Sequence, residues 1–233
     1  MKLLGALEKP FYRAVDPLVQ RLIRAGVRPN TITTVGTGLV LVSAVAYGLG
    51  HIHLGGALLL LSGIADTLDG QVARGGAMAT RFGAFYDSTI DRVGDGATFI
   101  GIGAFFLTAP DVAHRVPAVI ACMVAILASL LVSYARARAE GLGLDCKVGI
   151  AQRAERVLGL GVASLLVGAG PRALVLEGLV AVLAVASIIT VVQRFAYVYQ
   201  AANGVDAASG ADEPVRPRHR ERAAALDPLA KGR

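Results

Sequence analysis

Long apolar runs alternate with short polar turns along this chain, at 31–49, 54–74, 80–107, 116–139 and 174–199. A run of roughly 20 apolar residues crosses the hydrocarbon core of a bilayer, so each of these reads as a spanning helix. A further run at 157–167 is too short to cross alone, and is predicted to begin inside the polar connection 141–156 that precedes it. Upstream, Phe11, Val15, Leu18, Val19 and Leu22 recur at helical spacing, with Lys9, Arg13, Arg21 and Arg24 on the other side. That pattern predicts an amphipathic helix over 7–24, lying on the membrane surface and ended by Gly26. After Asn203-Gly204 the apolar periodicity stops and Ala, Asp, Pro and Arg dominate, as in a disordered tail. The expected architecture is all-α: a polytopic membrane protein of about six transmembrane helices with an N-terminal amphipathic interfacial helix. Its expected parts are an arm at 1–30, a membrane domain at 31–202 and a cytoplasmic tail at 203–233.

Composition supports the membrane reading, since 55% of the 233 residues are hydrophobic and the mean hydropathy is +0.60. The basic pI, about 9.7, does not point to nucleic acid. Lys and Arg cluster in the N-terminal arm, the Arg74 to Arg81 turn, the Arg136 to Arg156 region and the tail. The turn at 50–53 has none, and those near Arg115 and Arg172 have one each. By the positive-inside rule both termini are expected in the cytoplasm, with the protein in the cell membrane. The apolar start, 3–7, is interrupted by Glu8, Lys9 and Pro10, so no cleavable signal peptide is expected. Cys122 in an apolar run and Cys146 in a polar loop suggest neither a disulfide framework nor a zinc site. His51 and His53 read as an interfacial turn, with no third ligand beside them.

Four aspartates break the apolar pattern. An aspartate at the centre of a membrane helix costs roughly 2.5–3.5 kcal/mol on insertion scales, so four call for a shared compensating partner. Asp66, Asp69, Gly70 and Ala73 fall at i, i+3, i+4 and i+7, on one helix face. Gly83, Asp87 and Asp91 follow at i, i+4 and i+8, again on one face. The intervening Gly75-Gly76 turn folds the second helix back on the first, so the four carboxylates are expected to converge. Hard oxygen ligands of this kind suit Mg2+ or Mn2+ in company with substrate phosphates. Gly70, Ala73 and Gly83 leave room beside such ions, and Arg74 offers a forked cation suited to phosphate.

These residues complete the pattern D-x2-D-G-x2-A-R-x8-G-x3-D-x3-D, and the chain thereby resembles the CDP-alcohol phosphatidyltransferases. Eight fixed positions make the resemblance specific. It implies that Asp66, Asp69 and Asp87 ligate metal, two ions in all, while Asp91 contacts the second ion and deprotonates the acceptor hydroxyl. It implies attack on the lipid-linked phosphate of CDP-diacylglycerol with release of CMP, and a nucleotide site lined by Gly70, Ala73, Arg74 and Gly83. It also implies a homodimer.

The segments 133–140, 152–156 and 192–194 further resemble bacterial phosphatidylinositol phosphate synthases. Carried over by position, Ser133, Arg136, Arg156 and Arg194 would bind the phosphate of inositol phosphate. Two departures stand out: that family commonly has lysine where Arg136 stands, and Glu-Arg-Pro where this chain has Gln152-Arg153-Ala154. Glycerol phosphate is the alternative acceptor, and an archaeal-type ether lipid the alternative donor. A divalent-cation transporter could use the same carboxylates. Transporter sites, however, sit near the bilayer midplane on broken helices, often between repeats, and here the carboxylates lie at one mouth with no internal repeat.

Overall fold

The computed structural model describes residues 15–209, and every regular element among them is helical. Residues 15–24 form α1; α2 is Pro29–Gly48, α3 Ile52–Gly75, α4 Arg81–Thr108, α5 Arg115–Gly141 and α6 Arg153–Val167. A short 3-10 turn, Pro171–Ala173, leads into α7, Leu174–Ser209. The start of the predicted amphipathic helix, with Lys9, Phe11 and Arg13, lies outside the described residues. So does the part of the tail beyond Ser209, six residues past its predicted start.

Local chemistry sets the boundaries. Gly26 takes φ +68, and the amides of Gly26 and Val27 donate back to Ile23 and Leu22 at 3.0 and 3.1 Å, closing α1. Pro29 opens α2, where its missing N–H costs nothing. Thr80 caps α4 by accepting the Gly83 amide at 2.9 Å. Between α3 and α4 the left-handed residue is Ala77, at φ 52, rather than either predicted glycine. The Met78 amide reaches the Ala73 carbonyl at 2.9 Å and the Ala77 amide reaches Arg74 at 3.4 Å, so the turn closes around alanine.

α2 packs on α3 and α4, α3 on α6, α4 on α5, and α5 on α7. α1 lies against the end of α3, with Val19 buried beside Leu68 and Val72 while Leu18 stays exposed. A larger core fills the other half of the bundle, where Tyr47, Ile102, Phe106, Leu160, Leu176 and Val180 are fully buried.

Among the described residues four helical segments are long and apolar enough to cross a bilayer: Pro29–Gly48, Ile52–Gly75, Arg115–Gly141 and Pro171–Gly204. α4 has 28 residues, but Asp87, Asp91, Arg92 and Asp95 interrupt its N-terminal part. α6 begins inside the polar connection, as its short apolar run required. Its 15 residues still extend only about 22 Å, short of a ~30 Å core.

Small residues bring the backbones together. α2 and α4 cross at Gly101, where an added Cβ would lie 2.1 Å from the Ala44 carbonyl oxygen. α3 and α6 cross at Gly56, where a Cβ would meet the Gly161 carbonyl oxygen and the Leu165 amide, each at 2.7 Å. Such small-residue crossings let membrane helices gain close packing where lipid supplies no hydrophobic drive. We expect Gly101→Ala to destabilise the fold by about 1–3 kcal/mol through forced separation of the helices. Gly38 has nothing among the described residues within 4 Å of its Cβ position, so Gly38→Ala should melt with wild type. Thermal unfolding of the detergent-solubilised protein checks both, and coincident curves for the two variants would contradict the packing.

Candidate active site

Asp66 and Asp69 sit near the end of α3, and Asp87 and Asp91 near the start of α4, so the Ala77 turn sets the two faces side by side. One carboxylate oxygen from each of Asp66, Asp69 and Asp87 lies within 4.8 Å of the others. Asp69 is buried, and its Oδ2 accepts a 2.6 Å hydrogen bond from Thr33 Oγ1 on α2. Asp87 Oδ1 is buried without a hydrogen-bond partner among the described residues. Asp66 keeps 36% of its side chain exposed, which opens one side of the cluster to solvent. An unpaired buried oxygen beside an open carboxylate, within a set of hard donors, fits a divalent cation.

Asp91 does not join that trio. Its Oδ1 accepts from Arg153 Nη2 at 2.9 Å, and its Oδ2 lies 3.7 Å from Arg92 Nη1. Arg153, in the first turn of α6, also donates from Nη1 to Asp66 Oδ2 at 2.8 Å. A narrow crevice runs between the four helices α2, α3, α4 and α6, lined by Thr33, Thr37, Ser62, Asp66, Asp91 and Arg153 among others.

The small residues of the motif frame the same mouth. Gly70 lies under the exposed Arg74, whose Nη1 would be 3.3 Å from an added Cβ. At Gly83 a Cβ would approach Thr80 Oγ1 at 3.0 Å and Asn30 Oδ1 at 3.2 Å, so glycine lets the starts of α2 and α4 meet. Ala73 is half-buried one turn past Gly70.

The predicted acceptor residues divide into two kinds. Ser133 and Arg136 share a face of α5, and Arg136 Nε donates to Glu140 Oε1 at 2.8 Å on an exposed surface. Arg156 and Arg194 are only 4% and 3% exposed. Arg156 donates to the Ala151 carbonyl at 2.8 Å and pairs with Asp95, while Arg194 donates to the Val148 carbonyl at 2.9 Å and to that of Val132. These two guanidiniums therefore hold the 144–152 connection against the bundle, with Thr190 Oγ1 accepting the Ala151 amide at 3.0 Å. Arg136 and Arg156 lie within electrostatic reach of Arg194, as does Glu140.

Asp95 escaped the sequence reading, although it continues the i, i+4 series after Asp87 and Asp91. It pairs with Arg156 and lies 3.6 Å from Arg153 Nε.

The eight-residue motif, the helical bundle and the carboxylate cluster agree with a sequence profile that matches residues 27–201: the chain belongs to the CDP-alcohol phosphatidyltransferase family. It is accordingly an enzyme of a multi-pass membrane type. The chain is 38% identical over 188 residues to an archaetidylinositol phosphate synthase of Methanothermobacter thermautotrophicus, covering 81% of this chain and 90% of the relative. It is 34% identical over 223 residues to a phosphatidylinositol phosphate synthase of Mycolicibacterium smegmatis, covering 91% of this chain and 92% of that protein. Among solved structures, a Mycobacterium tuberculosis phosphatidylinositol phosphate synthase with CDP-DAG bound superposes with a TM-score of 0.70 at 34% identity, over 80% of this chain and 94% of that one. The same enzyme in complex with manganese and citrate gives 0.69 at 34% identity, over 78% and 88%. Family membership removes the ground for a cation transporter.

Asp95→Asn leaves the buried Arg156 without its anionic partner. Truncating one side of a buried pair costs about 3 kcal/mol or more, so the variant should melt well below wild type, and an unchanged melting temperature would contradict this anchoring.

Proposed function

We propose that this protein transfers a phosphatidyl group from a CDP-linked lipid to inositol phosphate and releases CMP. The observation that carries the reading is the convergence of Asp66, Asp69 and Asp87 oxygens within 4.8 Å, in a bundle whose relatives are named for inositol phosphate lipids. In this reading Asp66, Asp69 and Asp87 hold one Mg2+ or Mn2+, and Asp91 helps hold a second. Such ions, when bound, neutralise the pyrophosphate and stabilise charge in an in-line displacement. The manganese complex of the tuberculosis enzyme supports the choice of metal.

The chain's own residues supply position, charge and a base. Thr33 fixes Asp69 through its 2.6 Å hydrogen bond. Gly70, Ala73 and Gly83 keep the nucleotide side open, and Arg74 lies at its rim to meet phosphate. The acceptor hydroxyl attacks the phosphorus that carries the lipid, the bond from that phosphorus to the bridging oxygen breaks, and CMP leaves with the oxygen. Asp91 accepts the hydroxyl proton. Ser133 and Arg136 face the acceptor phosphate directly, while Arg156 and Arg194 supply positive potential and hold the adjoining connection. The placement of Arg74, Arg81, Arg136, Arg153 and Arg194 in the sequence supports a cytoplasmic mouth in the cell membrane.

The donor has a second reading. The archaeal relative, at 38% identity, favours an ether-linked CDP lipid as much as the bacterial ones favour CDP-diacylglycerol; the inositol phosphate headgroup is common to both names. Purified protein with Mg2+ should release CMP from CDP-diacylglycerol or its ether analogue when given inositol phosphate, and Asp91→Asn should slow turnover by about 10²–10⁴. Release with glycerol phosphate but not inositol phosphate would overturn the acceptor, and no release with any phosphorylated alcohol would overturn the reaction.

A further inference from the structure

Arg153 ties the aspartates of α3 to those of α4. Its Nη1 donates to Asp66 at 2.8 Å, its Nη2 to Asp91 at 2.9 Å, and its Nε lies 3.6 Å from Asp95. One guanidinium thus faces three carboxylates on two helices, from a side chain that is 24% exposed at the crevice mouth. Contacts of this length between ionised groups are the strong kind of hydrogen bond.

The carboxylates divide into two sets by their cationic partners. Among the described residues neither Asp69 nor Asp87 forms an ion pair, and Asp87 keeps a buried oxygen unpartnered. Asp91, by contrast, is fully engaged: Arg153 holds one oxygen and Arg92 approaches the other. Arg153 competes with a divalent cation for the Asp91 oxygen it holds, and guanidinium and cation repel each other across the shared carboxylates.

We propose that Arg153 is a built-in counter-cation that occupies the second metal position, so that loading the second ion and releasing Arg153 from Asp66 and Asp91 are a single exchange. This rests on the reading of Asp66, Asp69, Asp87 and Asp91 as metal ligands. The first position can fill while Arg153 stays on Asp91, because Asp69 and Asp87 carry no ion pair among the described residues and Asp66 meets Arg153 through Oδ2 alone; the second binds more weakly because the ion must compete with Arg153 for Asp91. Asp95, 3.6 Å from Arg153 Nε, keeps the displaced guanidinium nearby, beside an adjoining crevice lined by Asp95, Thr98, Arg153 and Arg156 among others. In the metal-free protein Arg153 stabilises the bundle by neutralising carboxylates that otherwise repel.

The test is a Mn2+ titration of chelator-stripped, full-length protein in detergent, read by the electron paramagnetic resonance signal of free Mn2+, with melting temperatures measured in chelator and in saturating Mn2+. Arg153→Gln should tighten the weaker step by about tenfold or more, since two charge-assisted hydrogen bonds no longer oppose it, and leave the tighter step nearly unchanged. In chelator the variant should melt below wild type, and saturating Mn2+ should close that gap. Arg153→Lys keeps the charge but loses the fork, and should tighten the weaker step by a smaller factor; it serves if the glutamine variant does not fold. Arg172→Gln removes a pair with Asp111 at the opposite end of the bundle and should leave both steps alone. Unchanged Mn2+ affinities in the Arg153 variants, or a melting deficit that persists in Mn2+, would overturn the exchange and leave Arg153 a structural residue. Absence of Mn2+ binding in wild type and variants alike would overturn the metal reading itself.

Discussion

Mutual repulsion among aspartates confined to one mouth of a lipid-facing bundle is the constraint on which this structure depends. Asp66, Asp69, Asp87, Asp91 and Asp95 all lie on the facing turns of α3 and α4. A soluble surface would screen such a cluster, but a crevice walled by apolar helices does so poorly. The protein answers with three devices. Thr33 donates to Asp69, Arg153 spans Asp66 and Asp91, and Arg156 neutralises Asp95. Thr33 comes from α2 and both arginines from α6, so compensation of the acidic face also fixes how α2, α3, α4 and α6 are placed.

The apolar half of the molecule makes this placement rigid. Gly101 lets α4 touch the α2 backbone and Gly56 lets α3 touch α6, above a core centred on Tyr47, Ile102 and Phe106. Because these crossings lie away from the aspartates, the bundle is held at one end by packing and at the other by charge. Ions entering the charged end would replace protein cations rather than create new order, which suits a site that must admit and release a charged nucleotide.

Much of this was legible in the sequence because helical spacing alone aligns Asp66 with Asp69 and Asp87 with Asp91. The spans followed from apolar run length, and α6 began where its shortness demanded. What spacing could not reveal was partnership across helices. Arg153 looked like one of several cytoplasmic arginines until α6 brought it between two acidic helices. Asp95 continued a visible series, yet stood outside the motif and was passed over. Arg156 and Arg194, expected at an acceptor phosphate, are buried and occupied with backbone carbonyls. Of the glycines with packing potential, Gly36 and Gly101 meet neighbouring helices closely, whereas Gly38 faces open space; a one-dimensional pattern does not distinguish them. The turn between α3 and α4 relies on a left-handed Ala77, which no propensity rule would select over the adjacent glycines.

If the carboxylates of α3 and α4 form a metal centre, anomalous diffraction from crystals soaked in Mn2+ will locate it. A manganese peak is expected among the oxygens of Asp66, Asp69 and Asp87, with a second, weaker peak beside Asp91 only where Arg153 has moved aside. Crystals with Mn2+ elsewhere on the protein and none between these aspartates would contradict it.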